Sequence, residues 1–180
     1  MKKLNKKGFT LIELLAVIVI LAIILIIAIP SVTGLIDDAK KDSFISTARM
    51  MKSSARLYTS TEESVILPSE ADHVILITAD ELDMDNMGND PDGNAYDTAN
   101  SYIAIASTTG GTLEYYVTLV STGTNSRGIY MAEIDNLEKA DVFADRAEAG
   151  ITEVSELSGT IPKPDSEEDT FTIDNIYDGS

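Results

Sequence analysis

The residues with the clearest chemical potential lie near the N-terminus, where a basic octapeptide meets an apolar segment. Gly8 has no side chain, so a peptidase can closely approach the bond between Gly8 and Phe9. Cleavage there would leave a cationic amine on Phe9, about one helical turn from the carboxylate of Glu13. In a low-dielectric medium, the amine of one chain could neutralise Glu13 of a neighbouring chain and set the axial stagger between two helices. The simpler alternative is that Glu13 reaches the lipid headgroups.

A second group of reactive side chains lies in the acidic segment 83–97, which reads DMDNMGNDPDGNAYD. Its five Asp and three Asn side chains carry the oxygen ligands that calcium prefers. Two EF-hand registers fail, because one places Met87 at a ligand position and the other places Ala95 where glycine is required. The segment therefore predicts a structural turn, with calcium binding as the alternative. The weak metal candidates in that alternative are Asp83, Asp85, Asp90, Asp92 and Asp97.

Other catalytic chemistry has little support in this sequence. The chain has no Cys, which excludes thiolate nucleophiles, disulfides and Cys-ligated zinc. It has one His, His73, which a conventional catalytic triad or a His-based metal cage would have to use. No pairing of a nucleophile with a base and no phosphate-binding loop stands out. We therefore expect neither an enzyme nor a cofactor.

The charge distribution is strongly uneven. The formal net charge is -17, yet residues 1–8 carry four Lys and no acid. Residues 31–180 carry nine bases and 29 acids, so this part of the chain would be repelled by phosphate. Broad nucleic-acid binding is therefore not expected.

The apolar segment from Phe9 to Ile29 is long enough to cross a membrane. As a helix, its 21 residues span about 31 Å, which matches the hydrocarbon core of a bilayer. The preceding Lys cluster places the N-terminus in the cytoplasm. A cleavable secretory signal is the alternative, but the end of the segment lacks the small residues that signal peptidase requires. We therefore expect the segment to be retained as an anchor.

The segment Lys6-Lys7-Gly8-Phe9-Thr10-Leu11-Ile12-Glu13, followed by an unbroken apolar helix, closely resembles the processing site of the type IV pilin superfamily, a class III signal peptide. The resemblance implies that a membrane prepilin peptidase cuts after Gly8 and that Phe9 is then N-methylated. It also implies that Phe9, Glu13 and Pro30 take part in assembly. An assembly ATPase and membrane platform proteins would be the further partners. The segment 90–96 is similar to a turn found in many pilins, Asp-Pro-aromatic-Gly-x-x-Tyr, with Asp92 in the place of the aromatic residue.

Apolar residues continue at helical spacing beyond Pro30 and as far as Tyr58. Pro30 removes one helical hydrogen bond, so we expect a kinked but continuous helix, with a polar stop at 59–64. This pattern predicts an α+β fold in which a long helical spine packs on a small antiparallel sheet. The predicted parts are a leader (1–8), a transmembrane and filament-core helix (9–30), an amphipathic continuation (31–60) and a globular head (61–180).

Within the head, short apolar runs separated by turn residues predict an antiparallel meander. His73 to Ile77 is either a strand or the lead into a short helix that a capping box at Thr78 would start. A second capping box predicts a helix from Asp135 to Glu148. The predicted strands are Val65–Leu67, Tyr102–Ala106, Leu113–Val120, Gly128–Met131 and, at the C-terminal end, Phe171–Ile176.

These patterns favour a structural subunit that leaves the membrane and polymerises with its own copies into an extracellular helical filament. The first alternative is a pseudopilin of a type II secretion or DNA-uptake apparatus. The second is a permanently anchored extracytoplasmic binding protein, which would keep its leader intact.

Overall fold

The computed structural model describes residues 8–84, 87–123, 126–145, 150, 152–164, 166 and 168–178. The chain divides into two compact units, Met1–Ala39 and Lys40–Ser180. One helix, α1 (Leu11–Thr61), contributes to both units, whereas all the strands described belong to the second. The predicted α+β class is confirmed.

In the first unit, α1 is apolar on all sides, and its large side chains between positions 11 and 36 are each at least half exposed. The helix runs through Pro30, which cannot donate to the carbonyl of Ile26. The hydroxyl of Thr33 donates to the Pro30 carbonyl at 3.0 Å. The predicted continuation of the helix beyond Pro30 is therefore confirmed. Among the described residues, α1 is the one helix long and apolar enough to span a membrane.

The second unit contains six strands, which are β1 (His73–Thr78), β2 (Tyr102–Ser107), β3 (Leu113–Val120), β4 (Gly128–Glu133), β5 (Thr160–Pro162) and β6 (Thr170–Tyr177). They form one sheet in the order β4-β3-β2-β1-β6-β5. The strands from β2 to β4 form the predicted antiparallel meander, and β1, one of the two alternatives for His73–Ile77, pairs antiparallel with β2. β6, however, lies parallel to β1, so the sheet is mixed and the prediction of a purely antiparallel sheet is corrected. Because β1 is buried, its second edge must be paired, and the long crossover from β4 brings β6 back in the direction of β1.

The sheet carries an apolar core on each face. On one face, α1 buries a stripe that includes Phe44, Met51 and Ala55 against strand residues such as Ile75 and Ile103. The helical spacing in the sequence predicted Met51 and Ala55 on this face, but not Phe44. On the other face, a second core forms around Tyr102 and includes residues of the segment 154–161. Both faces of the central strands are thus excluded from water, which explains their almost unbroken apolar character.

One predicted strand is wrong, and so is the alternative of a short helix after Thr78. The run Val65–Leu67 is not a strand, and the amide of Ile66 donates to the hydroxyl of Tyr177 at 3.1 Å instead of joining a ladder. Pro68 follows directly and would remove a further ladder donor. Thr78 accepts a hydrogen bond from the amide of Glu81 at 3.3 Å, as a cap would, but only turns follow.

The predicted helix from Asp135 to Glu148 is also absent over its described part. Two short 3-10 helices, Ile134–Asn136 and Lys139–Asp141, take its place. Phe143 then exchanges two backbone hydrogen bonds with Gly128, at 2.9 and 3.2 Å, and this pairing at the sheet edge requires extended backbone. Residues 146–149 lie outside the described part of the chain.

A charged cluster joins α1 to two loops of the head. The carboxylate of Asp92 accepts from Lys40 Nζ of α1 at 2.6 Å and from Arg127 Nε, which directly precedes β4. The Arg127 side chain is only 8% exposed. Partial burial raises the pKa of Asp92, but the hydrogen bonds from Arg127 and Lys40 outweigh burial, so the pKa lies below its ordinary value. Asp92 therefore holds together three segments that are far apart in the sequence.

We predict that Asp92→Asn lowers the free energy of unfolding by about 1–2 kcal/mol at neutral pH, because it weakens two charge-assisted hydrogen bonds at a partly exposed site. Asp83→Asn is the matched control, since it removes one charge from the same acidic segment, and we expect almost no effect. The contribution of Asp92 is present above its unfolded pKa and is lost as the pH falls through the lowered folded pKa, so the difference should disappear in acid. Urea unfolding of the full chain in detergent measures both values. Equal stability of the two variants would contradict the assignment.

The parallel pair of β1 and β6 carries the only His of the chain. Nδ1 of His73 lies 2.6 Å from an Asp174 carboxylate oxygen on β6, and Nε2 lies 3.5 Å from Glu70. The hydrogen bond to Asp174 raises the pKa of His73 above its ordinary value, although desolvation opposes the shift and Asp72 adds to it. Asp72 is itself bonded to Lys163 at 2.7 Å. Protonated His73 therefore supports the pairing of β1 with β6.

We predict that this support is complete below pH 6.5, the ordinary pKa of His, and is lost as the pH rises through the raised folded pKa. His73→Gln should remove this part of the pH dependence of stability, measured as the urea midpoint from about pH 6 to pH 8. Because there is one His, its proton NMR titration is unambiguous, and Asp174→Asn should lower the observed pKa. A measured pKa of 6.5 or less in the unmodified chain would refute the role given to Asp174.

Candidate processing and assembly site

The processing site predicted from the sequence is fully accessible. Gly8 and Phe9 are exposed and precede α1, and Phe9 is 85% exposed. A Cβ built on Gly8 would meet no atom within 4 Å, and Gly8 does not adopt a positive φ. Nothing in the described fold therefore requires glycine at this position, so a requirement for glycine would have to come from a molecule that acts on the chain.

Thr10 and Glu13 form a reciprocal cap at the start of α1. The backbone amide and the hydroxyl of Thr10 both donate to Glu13 Oε2 at 2.8 Å, and the Glu13 amide donates to the Thr10 hydroxyl at 3.3 Å. This is the capping box T-x-x-E, in which the carboxylate also lies at the positive end of the helix dipole. Sequence reasoning about Glu13 missed Thr10, although the T-x-x-E spacing was readable.

The cap leaves part of the Glu13 carboxylate available. Both bonds from Thr10 go to Oε2, and no donor in the described part of the chain reaches Oε1. A carboxylate can accept several hydrogen bonds through its two oxygens. Glu13 can thus serve as the helix cap and still bind a cation from another molecule.

Pro30, the third predicted assembly residue, lies inside α1 and within the exposed apolar part of the first unit. So large an apolar surface is incompatible with water, because exposed patches on soluble proteins are much smaller. The segment needs a covering of lipid or of other apolar chains. The covering cannot come from the described part of the same unit, since all of its large apolar side chains are exposed.

The structure does not bring the described metal candidates, Asp83, Asp90, Asp92 and Asp97, together into an ion site. In the described part of the chain, no three His, Asp or Glu side chains are placed to hold an ion. Asp90 is 4% exposed and accepts from the amides of Asp92 and Asn94 at 2.9 and 2.7 Å, which closes a tight turn. Asp97 accepts from Asn100, and Asp85 lies outside the described residues. Calcium binding stays a prediction from the sequence.

The turn that resembles the pilin turn anchors the loop to α1. Gly93 has a φ of 93°, a conformation that favours glycine. Tyr96 is buried, its hydroxyl donates to Thr47 of α1 at 3.2 Å, and its ring lies 5.6 Å from that of Phe44. The segment therefore positions the head on the helix.

The N-terminal part of the chain matches a family model. A family model, the prokaryotic N-terminal methylation motif, matches residues 3–29, which include Gly8, Phe9, Glu13 and most of the apolar segment. No curated protein and no solved structure matches the chain. The exposed Gly8–Phe9 bond, the capped Glu13 and the uncovered apolar helix lie within or directly beside the matched residues. Residues 3–29 therefore carry the methylation motif that is the class III signal peptide of type IV pilins and pseudopilins.

Proposed function

We propose that this chain is a structural subunit of a type IV pilus. A prepilin peptidase would remove residues 1–8, and the mature chain would polymerise through α1 into an extracellular filament. The observation that carries the proposal is the uncovered apolar surface of α1 directly behind a processing signal. The same surface can be covered first by lipid, in a single-pass membrane protein, and then by the helices of neighbouring subunits.

The energetics favour a driven and reversible assembly. Apolar side chains gain about 1.5–3 kcal/mol each when they leave water, but lipid is as apolar as a bundle of helices. Transfer from membrane to filament therefore has little hydrophobic driving force and needs an energy source. The assembly ATPase and platform proteins implied by the resemblance would supply it. The contacts between subunits would be heterologous, since head-to-tail contacts that do not close give an open polymer.

Glu13 gives the assembly its register in this proposal. Cleavage after Gly8 creates the amine of Phe9, and the free oxygen of Glu13 can accept from the amine of a neighbour. In a medium of low dielectric, an unpaired carboxylate is strongly unfavourable, so correctly staggered helices are selected.

The processing step is tested by mass analysis of the mature N-terminus. We expect N-methylated Phe9 as the first residue of filament subunits. Gly8→Leu should abolish cleavage, because the bulkier side chain blocks the peptidase, while the fold offers no reason for an effect. Gly34→Leu is the matched control, because a Cβ at Gly34 also meets no neighbour and the position lies far from the cleavage site. Filament subunits that keep Lys2 or Lys3 would overturn the proposal and favour a permanent anchor.

The role of Glu13 can be separated from its role as a cap. Glu13→Leu should be processed but excluded from filaments, whereas Thr10→Val loses only the two cap hydrogen bonds of the hydroxyl, at a cost of about 1 kcal/mol, and should still assemble. Immunoblots of sheared filaments and of the membrane fraction measure both. Assembly of Glu13→Leu at the level of the unmodified chain would show that no neighbouring amine depends on this carboxylate.

A pseudopilin is the second candidate, because the matched motif is shared by both classes. Electron microscopy of sheared cells distinguishes them. Long surface filaments that contain this chain support a pilus, and their absence in cells with processed chain favours a pseudopilin.

A further inference from the structure

The part of α1 that belongs to the second unit has an exposed face opposite its buried stripe. We define the outward face by residues that recur every three or four positions and are all exposed, which are Ser46, Arg49, Met50, Ser53, Arg56 and Leu57. Met50 and Leu57 are 51% and 65% exposed. Such exposure is unusual for large apolar residues in a helical segment whose opposite side is packed against a sheet. The outward face thus combines apolar and cationic groups in one strip.

The cations of the outward face have no acidic partner in the described part of the chain. Lys40 and Lys52, which lie off this face, are bonded to Asp92 and Asp135. Arg56, in contrast, has no carboxylate within ion-pair distance among the described residues, and Arg49 reaches only a backbone carbonyl at 3.5 Å. Two guanidinium groups therefore remain available to a partner.

The rest of the head has the opposite excess of charge. Residues 62–180 contain 26 acids and four bases, a net charge of -22, whereas residues 40–61 contain five bases and one acid. Three of those four bases are already bonded to acids, in the pairs Arg127–Asp92, Lys139–Asp42 and Lys163–Asp72. Heads that pack closely would repel one another unless the basic part of one lay against the acidic part of the next.

A cleft on the head complements the outward face. It has a volume of about 500 Å³ and is lined by three carboxylate residues, Asp80, Glu153 and Asp178, together with aliphatic side chains that include Val154, Leu157 and Ile176. The carboxylates of Asp80 and Glu153 accept no hydrogen bond from the described residues. We call this region the acidic cleft. Its mixture of carboxylates and aliphatic surface suits Arg, whose stem packs on apolar groups while its guanidinium binds carboxylates.

We propose that the outward face of one copy docks into the acidic cleft of a second copy. This inference rests on the proposed function, since it describes how neighbouring heads meet in the filament. Leu57 and Met50 would cover the aliphatic part of the cleft, and Arg49 and Arg56 would pair with Asp80 and Glu153. Because the two surfaces differ, each copy offers one of each, and the contact propagates instead of closing into a dimer.

Crosslinking in intact filaments tests the contact directly, because the chain has no Cys of its own. Ser53→Cys lies on the outward face, Ser155→Cys lines the acidic cleft, and both serines are exposed. With a short bis-maleimide, the double variant should give a ladder of dimers, trimers and longer products. Each single variant should stay monomeric, as should the matched pair of Ser53→Cys with Ser69→Cys, whose second serine is exposed outside the cleft.

The outcomes separate this inference from the proposed function. Filaments with methylated Phe9 but without a ladder in the double variant would refute the docking contact and leave the pilus intact. Dimers from Ser53→Cys alone would also refute it, because they indicate that two outward faces meet. If no filaments contain the chain, the proposed function and the docking contact both fail.

Charge exchange gives a second measurement that does not depend on crosslinking. Arg56→Glu should reduce filament yield, and adding Glu153→Arg should restore it, because the ion pair is re-formed with its signs exchanged. Arg56→Glu combined with Glu168→Arg has the same net charge and should not be restored, since Glu168 is exposed outside the cleft. Equal recovery with both partners would mean that only net charge matters and would overturn the specific contact.

Discussion

The structure depends on the burial of one face of α1 against the sheet, in the part of the helix that follows Lys40. Phe44, Met51 and Ala55 are fully buried there, and most of the strand residues that they meet are fully buried as well. An isolated helix gains little from its own hydrogen bonds in water, so this packing, more than helix propensity, defines its course through the head. Tyr58 continues the attachment near the C-terminal end of α1, where burial and its hydrogen bond to Glu81 raise its pKa to about 12.

The same helix has a different environment over its first part. Between positions 11 and 36 its large apolar side chains are exposed, so the described chain does not supply the apolar surface that would cover them. Gly8 is a similar case, because no contact in the described fold requires a residue without a side chain at this position. Features that the fold does not need point to molecules that act on the chain, and the function proposed above assigns these roles to a peptidase, a lipid bilayer and further copies of the chain.

Charge is organised at two levels. Within the head, Asp92 and Asp174 use single carboxylates to join segments distant in the sequence, through Lys40 and Arg127 in one case and His73 in the other. These pairs account for few of the acids. The remaining excess has to be balanced by solvent ions or by the basic face of another molecule, and the second possibility connects the composition of the chain with the proposed assembly.

Local patterns in the sequence were sufficient to predict the helix through Pro30 and, to within two residues, β2, β3 and β4, because spacing and turn residues act over a few positions. They were also sufficient for the processing signal. They misplaced Val65–Leu67 and the segment after Asp135, where the bond of Ile66 to Tyr177 and the pairing of Phe143 with Gly128 override local preference. Each of these errors involves a contact made elsewhere in the fold.

Residue types and spacing alone thus determined the membrane-length helix, the methylation motif at its start and the acidity of the head. Only the tertiary structure decided that β6 pairs in parallel with β1, that Asp92 binds Lys40 and Arg127, and that the acidic cleft combines Asp80 with residues some 70 positions away. The physical reason is the separation in sequence of the residues involved. Hydrophobic periodicity and helix caps depend on residues only a few positions apart. Strand partners, ion pairs and clefts depend instead on which distant segments reach the same place when apolar surface is buried.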